Sequence, residues 1–287
     1  MVIAAGVCER DPMSLGALLT IQKLGGDRFQ APGGSYPWGW TYGGQLVAQA
    51  VCAAAQTVDA SAAINSLHAH YIRAGENETP VGLAVSRVRD GRAFAVRSVS
   101  VSQGPRELAV LLASFHRPEP SDERQPLTSP AVAPPEALVS DSWTPLFDRR
   151  DVPTCDSARL VSWMRLSEPP PGTSLLRACA LAYMADDLFD DPVIGMLGLR
   201  RRGDEVRAGA PFPLSTQSLD YGLWFHRPAP LDEWLLFDYR CQTLVGACAM
   251  VAGEVFDRAG AHIATAAQQV LVRQTPTASA APAGLVR

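Results

Sequence analysis

Several things are missing from this 287-residue chain, and each absence narrows what it can be. No apolar run approaches the roughly 18 residues that a membrane-spanning helix needs. The opening residues, MVIAAGVCERDPM, lack the charged start and long apolar core of a secretory leader. The expected compartment is therefore cytoplasmic, with no membrane span. No CxxC pair occurs. Cys8, Cys52, Cys155, Cys179, Cys241 and Cys248 are scattered and mostly sit in apolar runs, which predicts buried free thiols. The five histidines show no ligand spacing. His68 and His70 share one face of a strand, but no third ligand lies near, so no metal and no cofactor are expected. A GxSxG nucleophile elbow is also absent, which disfavours covalent Ser–His catalysis. A net charge of −4 argues against nonspecific nucleic-acid binding. It still leaves room for a local basic patch that meets a phosphate-bearing ligand.

What the chain does have is an internal repeat. One block runs from Tyr71-Ile72-Arg73 to Phe115-His116-Arg117. The other runs from Phe225-His226-Arg227 to Val270-Leu271-Val272-Arg273. Their Arg-to-Arg spans are 44 and 46 residues. This is too long for a solenoid unit and suits a duplicated small domain. Each block reads as three strands split by polar turns, with an Ala-rich helical segment before it. The polar residues differ between copies, so chemistry is free to sit in one copy only.

Residues 11–25 read as a short amphipathic helix, with Leu15, Leu18 and Leu19 on one face. The turn-rich stretch FQAPGGSYPWGWTYGG follows, then a helix over Gln45–Val58. Strands are expected near 65–73, 81–89, 93–103 and 107–117, with Asp90-Gly91 as a hairpin signal. Residues 118–153 carry eight prolines, too many for a helix or a central strand, and read as a linker. The second half holds a strand near 158–166, a helix over Ser174–Phe189, and a Gly-, Pro- and Arg-rich loop at 192–213. Strands follow near 216–227, 233–243, 246–257 and 261–273. The expected domains are 1–117 and 154–287, the latter ending in a disordered-like tail. Each half is an α+β unit, a helix covering the apolar face of an antiparallel sheet.

Three polar residues of the second half stand out against apolar surroundings. Asp186 continues the apolar helix face of Leu175, Cys179 and Tyr183, where the helix dipole disfavours an acid. Ser218 lies in the aromatic strand TQSLDYGLWFHR, and Gln268 lies in HIATAAQQVLVR. The residues alone leave plainer readings open: a solvated helix end beside Asp187, Asp190 and Asp191, and ordinary polar strand positions.

Together the segments YGGQLVAQA, LHAHYIRAG, RDGRAFAVRSVSVSQG, LAYMADD, SLDYGLWFHRP, EWLLFDYRC and the last AxxQ strand resemble the acyl-CoA thioesterase II family. The most specific pieces are LWFHRP with EWLLF and the GGQxxxQA helix start. The resemblance covers roughly residues 14–117 and 155–273. It implies a double hotdog, two fused domains each with a long central helix wrapped by an antiparallel sheet. It further implies an enzyme that hydrolyses fatty acyl-CoA to free fatty acid and CoA, working as a homo-oligomer, dimer or tetramer.

Carried over by position, the family's catalytic aspartate falls on Asp186, its Thr/Ser on Ser218 and its strand glutamine on Gln268. Gly43 and Gly44 fall where the family shapes the acyl or pantetheine tunnel. The chain has Ser218 where threonine is common, and Ala185 where the family has serine. The doublets Asp186-Asp187 and Gln268-Gln269 leave the register open by one, and the spacing to the arginine ending the strand favours Gln268.

The implied roles fit the chemistry. A thioester carbonyl needs a deprotonated water, which a carboxylate within hydrogen-bond reach supplies while a hydroxyl and an amide orient it. Candidates for CoA phosphates are Arg73, Arg87, Arg89, Arg92 and Arg97, and the loop run Arg200-Arg201-Arg202. Two rivals stay open: a hotdog enoyl-CoA hydratase or dehydratase using His226, and a non-catalytic acyl-CoA or lipid binder.

Overall fold

The computed structural model describes residues 14–168 and 173–275. The expected C-terminal tail, from residue 276, and Cys8 lie outside them. In chain order the elements of the first half are α1 (Leu15–Leu18), β1 (Gln22–Gly25), β2 (Arg28–Ala31), α2 (Gly43–Ala55), β3 (Ala63–Tyr71), β4 (Val81–Asp90), β5 (Phe94–Gln103) and β6 (Arg106–His116). Those of the second half are β7 (Phe147–Val152), β8 (Arg159–Leu166), α3 (Ser174–Ala185), α4 (Asp191–Met196), α5 (Gly203–Arg207), β9 (Leu214–Ser218), β10 (Asp220–Phe225), β11 (Leu235–Val245), β12 (Cys248–Asp257) and β13 (His262–Gln274).

The strands form one sheet in the order β1-β2-β4-β5-β6-β3-β10-β13-β12-β11-β8-β7. This order is a palindrome about the β3–β10 seam, where Leu67 stands opposite Leu223 in an antiparallel ladder. Each half thus repeats one topology, and the seam is the axis that duplication and fusion of a single domain would leave. The alternation that builds the strands is plain in β5, where Arg97, Val99, Val101 and Gln103 are buried and the residues between them are less so. The two long helices lie side by side within the curled sheet. From Gly44 to Ala54 every residue of α2 is buried, and so is α3 from Cys179 to Ala185. Their alanines keep both helices slim enough for this all-round burial. Where they meet, the thiols of Cys52 and Cys179 lie 3.1 Å apart.

Four expectations need correction. The helix expected over 11–25 is a single turn among the described residues. Beyond it, glycines at φ +127° and +56° (Gly25, Gly26) turn β1 back onto β2. The end of the expected linker, Phe147–Val152, is a strand, placed at the sheet edge where only one side must be hydrogen-bonded. The expected loop 192–213 carries α4, which Pro192 can start because the first turn needs no N–H donor there, and α5. Finally, the thiols are not uniformly buried: Cys52, Cys179 and Cys241 are, while Cys155 is exposed and Cys248 half-buried.

Candidate active site

Asp186 is the residue that ends α3, and unlike most helix C-termini this one is buried. The last carbonyls of a helix have no partner within it. Here three tyrosine hydroxyls from different elements supply partners: Tyr221 donates to Ala182 O at 3.3 Å, Tyr42 to Tyr183 O at 2.9 Å, and Tyr239 to Ala185 O at 3.0 Å. The helix end thereby finds its partners within the protein, and Asp186 is buried with it.

The sheet brings the other two residues to it. Gln268 is buried on β13, while Gln269 faces out, as alternation along a strand requires. Ser218 closes β9. Between Ser218, paired with Val270, and Gly222, paired with Ala267, three residues oppose two, so the strand bulges beside the site. Such a bulge re-aims side chains, and here it leaves Ser218 directed at Gln268. Ser218 Oγ donates to Gln268 Oε1 at 2.8 Å, and Gln268 Nε2 donates to Asp186 Oδ1 at 2.8 Å. The three residues form one hydrogen-bonded chain, and the glutamine's orientation follows from having a donor on one side and an acceptor on the other.

The first half completes the site. The Gly44 N–H, at the start of α2, donates to the Asp186 carboxyl, so the acid that its own helix disfavours is favoured by the positive end of another. The Tyr71 hydroxyl, at the end of β3, donates to Asp186 Oδ1 at 3.3 Å. Burial pushes the Asp186 carboxyl up to about 7. The donors Gln268, Gly44 and Tyr71 pull against this, and Asp187 adds to the rise.

Gly43 and Gly44 are glycines for reasons of space. A methyl on Gly43 would stand 2.9 Å from Tyr71 Oη and 3.0 Å from Asp186 Oδ2. One on Gly44 would stand 2.7 Å from the Tyr183 carbonyl oxygen. A Gly43→Ala protein is expected to fold and to lose about 10- to 100-fold in kcat/KM, because the carboxyl is pushed out of line. Thiol-release kinetics beside a melting curve check this; unchanged kinetics would show that the position tolerates bulk. The glutamines of the same helix start also have work. Gln49 Nε2 donates to Leu18 O and Pro32 O, both at 2.9 Å, and Gln45 Oε1 accepts from Tyr36 Oη at 2.7 Å. Together they tie the N-terminal segment over α2.

Asp187, the other half of the doublet, faces away into a separate cluster. It accepts from Trp143 Nε1 and sits 3.4 Å from Arg149 Nη1. Arg149 also pairs with Asp151 and Asp191, each at 2.8 Å. Burial pushes Asp187 up to about 6, against the pull of Arg149 and Trp143. Trp143 belongs to an aromatic cluster with Trp38, Tyr42 and Phe147.

Some sequence candidates lie elsewhere. Arg97 cannot meet a phosphate in solution. It is fully buried, bonded to Thr57 Oγ1 (2.7 Å), Thr57 O (2.9 Å) and Asp90 (2.5 Å) beyond the end of α2. Arg87 pairs with Asp27 at 2.7 Å, and Arg200 lies 3.4 Å from Asp141. His68 packs edge-on against Trp224. His226 bonds to Thr265 and lies against His262, and it is not among the groups around Asp186. Tyr71, Trp143 and Arg149 were missed by the sequence reading. Tyr71 opens the first repeat block, but nothing in its local pattern marks it as facing the other half, and the other two sit in what reads as linker.

Comparison with known proteins shows the family. An acyl-CoA thioesterase N-terminal domain matches residues 32–116, and an acyl-CoA thioesterase C-terminal domain matches residues 113–272. Human acyl-coenzyme A thioesterase 8 is 27% identical, over 91% of this chain and 89% of its own length. Acyl-CoA thioesterase 2 of Haemophilus influenzae is 25% identical, over 89% and 96%. The crystal structure of the acyl-CoA thioesterase II TesB2 of Mycobacterium marinum superposes with a TM-score of 0.78 at 27% identity, covering 91% of this chain and 98% of that one. The chain belongs to the acyl-CoA thioesterase II family, the double-hotdog enzymes that hydrolyse acyl-CoA thioesters.

Proposed function

We propose that this enzyme hydrolyses fatty acyl-CoA to free fatty acid and CoA, with Asp186 as the general base. The observation that carries this reading is the hydrogen-bonded chain Ser218–Gln268–Asp186, closed over by the Gly44 N–H in a buried setting. Asp186 takes a proton from a water that Ser218 and Gln268 hold in line with the thioester carbonyl. The water oxygen bonds to that carbon, and its π electrons move to oxygen. The backbone N–H groups at the start of α2 favour this oxyanion, together with the second N–H of the Gln268 amide. Collapse then expels the CoA thiolate, which receives the proton from Asp186. A carboxyl that ionises near pH 7 is well matched to this exchange.

Along β9, Leu214 and Ser218 share one face. At the Leu214 end, an open pocket of about 380 Å³ lies among Leu197, Leu199, Leu244 and Val272, with Arg273 and Gln274 on its wall. It is the seat we assign to the far end of the acyl chain. The enzyme acts in the cytoplasm as a homo-oligomer. Among the described residues no helix is long and apolar enough to cross a membrane.

Thiol release from acyl-CoAs of increasing chain length, measured between pH 5 and 9, tests the reading. The expected result is turnover with a chain-length optimum, and kcat/KM rising through about pH 7 as Asp186 loses its proton. No thiol release at any length, or a flat profile across that range, would overturn it.

A further inference from the structure

Asp186 belongs to the second half, yet a hydroxyl bonded to its carboxyl comes from the first. Tyr71 is the last residue of β3, the strand that forms the seam between the halves. Tyr71 N donates to Leu219 O at 3.0 Å, and Leu219 N in turn donates to Gln269 O at 2.9 Å. One short path of backbone bonds therefore links Tyr71, the bulge after Ser218, and the strand of Gln268. The side chain reaches across the seam to place its hydroxyl 3.3 Å from Asp186 Oδ1, the oxygen that also accepts from Gln268 Nε2. On the other side, the missing side chain of Gly43 leaves the space this hydroxyl occupies.

We propose that Tyr71 is a positioning residue for hydrolysis, a donor from the partner half that orients the Asp186 carboxylate and favours its ionised form. The proposal rests on the reading of Asp186 as the base. A donor to a carboxylate lowers the free energy of the charged form only, so it partly offsets the burial that opposes ionisation. Tyr71 stays protonated throughout, because burial and then the charge of Asp186 push its own ionisation well above the usual phenol range. The other groups that bear on Asp186 are Asp187 beyond the helix end, the tyrosines Tyr42, Tyr183, Tyr221 and Tyr239, and Asp220, which acts on Tyr71 itself. None of these six residues is a cation that could take over the donor's role.

The test is the pH profile of kcat/KM for wild type, Asp186→Asn, Tyr71→Phe and Tyr42→Phe. The first substitution in Tyr71 removes one oxygen and keeps the ring. Its acid limb is expected to move up by about half to one pH unit, giving roughly 3- to 10-fold less activity at pH 6 and near wild-type activity at pH 9. Tyr42 donates to the Tyr183 carbonyl rather than to Asp186. Its Phe variant is expected to melt lower while its limb stays in place, which separates loss of a buried hydroxyl from loss of a donor to the base. An unmoved limb in Tyr71→Phe, with Asp186→Asn inactive, would overturn the Tyr71 proposal and leave the base assignment standing. Full activity in Asp186→Asn would overturn both.

Discussion

An Asp186→Asn enzyme is expected to lose about 10²- to 10⁴-fold in kcat/KM while becoming more stable at neutral and alkaline pH. The activity loss follows from its removing the group assigned as base while keeping its shape. The stability gain follows from the direction in which burial moves this carboxyl. In the folded protein Asp186 gives up its proton near pH 7, against an ordinary value near 3.8. The folded state therefore holds a proton that the unfolded state has released, and stability falls as pH rises from about 4 to about 7. Above that window, holding the charge in the site costs on the order of 2 to 4 kcal/mol. An asparagine carries no charge, still accepts from Gln268 and Tyr71 through its oxygen, and escapes this cost. Melting curves at pH 5 and pH 8 should show little difference from wild type at the lower pH and a higher Tm for the variant at the higher one. A variant that is inactive and also less stable at pH 8 would show that Asp186 is a structural anchor instead.

Arg149→Met is expected to have the largest effect on stability. The guanidinium is buried among Asp151, Asp187 and Asp191, and among the described residues the other cation paired with this cluster, Arg200, is exposed and 4.0 Å from Asp151. Removing it leaves buried carboxylates without a counter-charge, which costs about 3 to 5 kcal/mol and lowers Tm by roughly 10 °C at pH 8. The deficit should shrink below about pH 6. Asp187 already ionises near 6 beside Arg149, and without that charge it ionises higher still, so the variant neutralises itself by taking up protons. Activity should fall as well, because Asp187 adjoins Asp186 and the cluster ties the end of α3 to β7 and α4. Thermal melts across pH check the first part. An equal loss at pH 5 and pH 8 would mean that packing of the side chain, not its charge, holds the segment.

Much of this could be read from the sequence because it is written in local pattern. Alternation located most strands to within a few residues, and Asp90-Gly91 marked a true hairpin. The two repeat blocks became the two mirrored halves of the sheet. Asp186, Ser218 and Gln268, named through the family resemblance, converge in space, and the structure places Asp186 and Gln268 in that cluster while their neighbours Asp187 and Gln269 face elsewhere. What failed did so for identifiable reasons. Prolines made 118–153 read as linker, yet an edge strand needs bonds on one side only, so Phe147–Val152 could still pair. The five arginines near the first block carried one charge label in sequence, but folding sent Arg97 inward to Thr57 and Arg87 onto Asp27.

The sequence by itself determined the repeat, the α+β class, the small-residue helices and the residue types available for chemistry, because each depends on neighbours within a few positions. Only the tertiary structure decided that the site is shared between halves, with Gly44 and Tyr71 donating to an acid more than 100 residues away. It also decided that Asp186 is buried deeply enough to hold its proton to about pH 7. Burial and long-range donors set an acid's ionisation, and neither exists until the two halves of the sheet have closed around their helices.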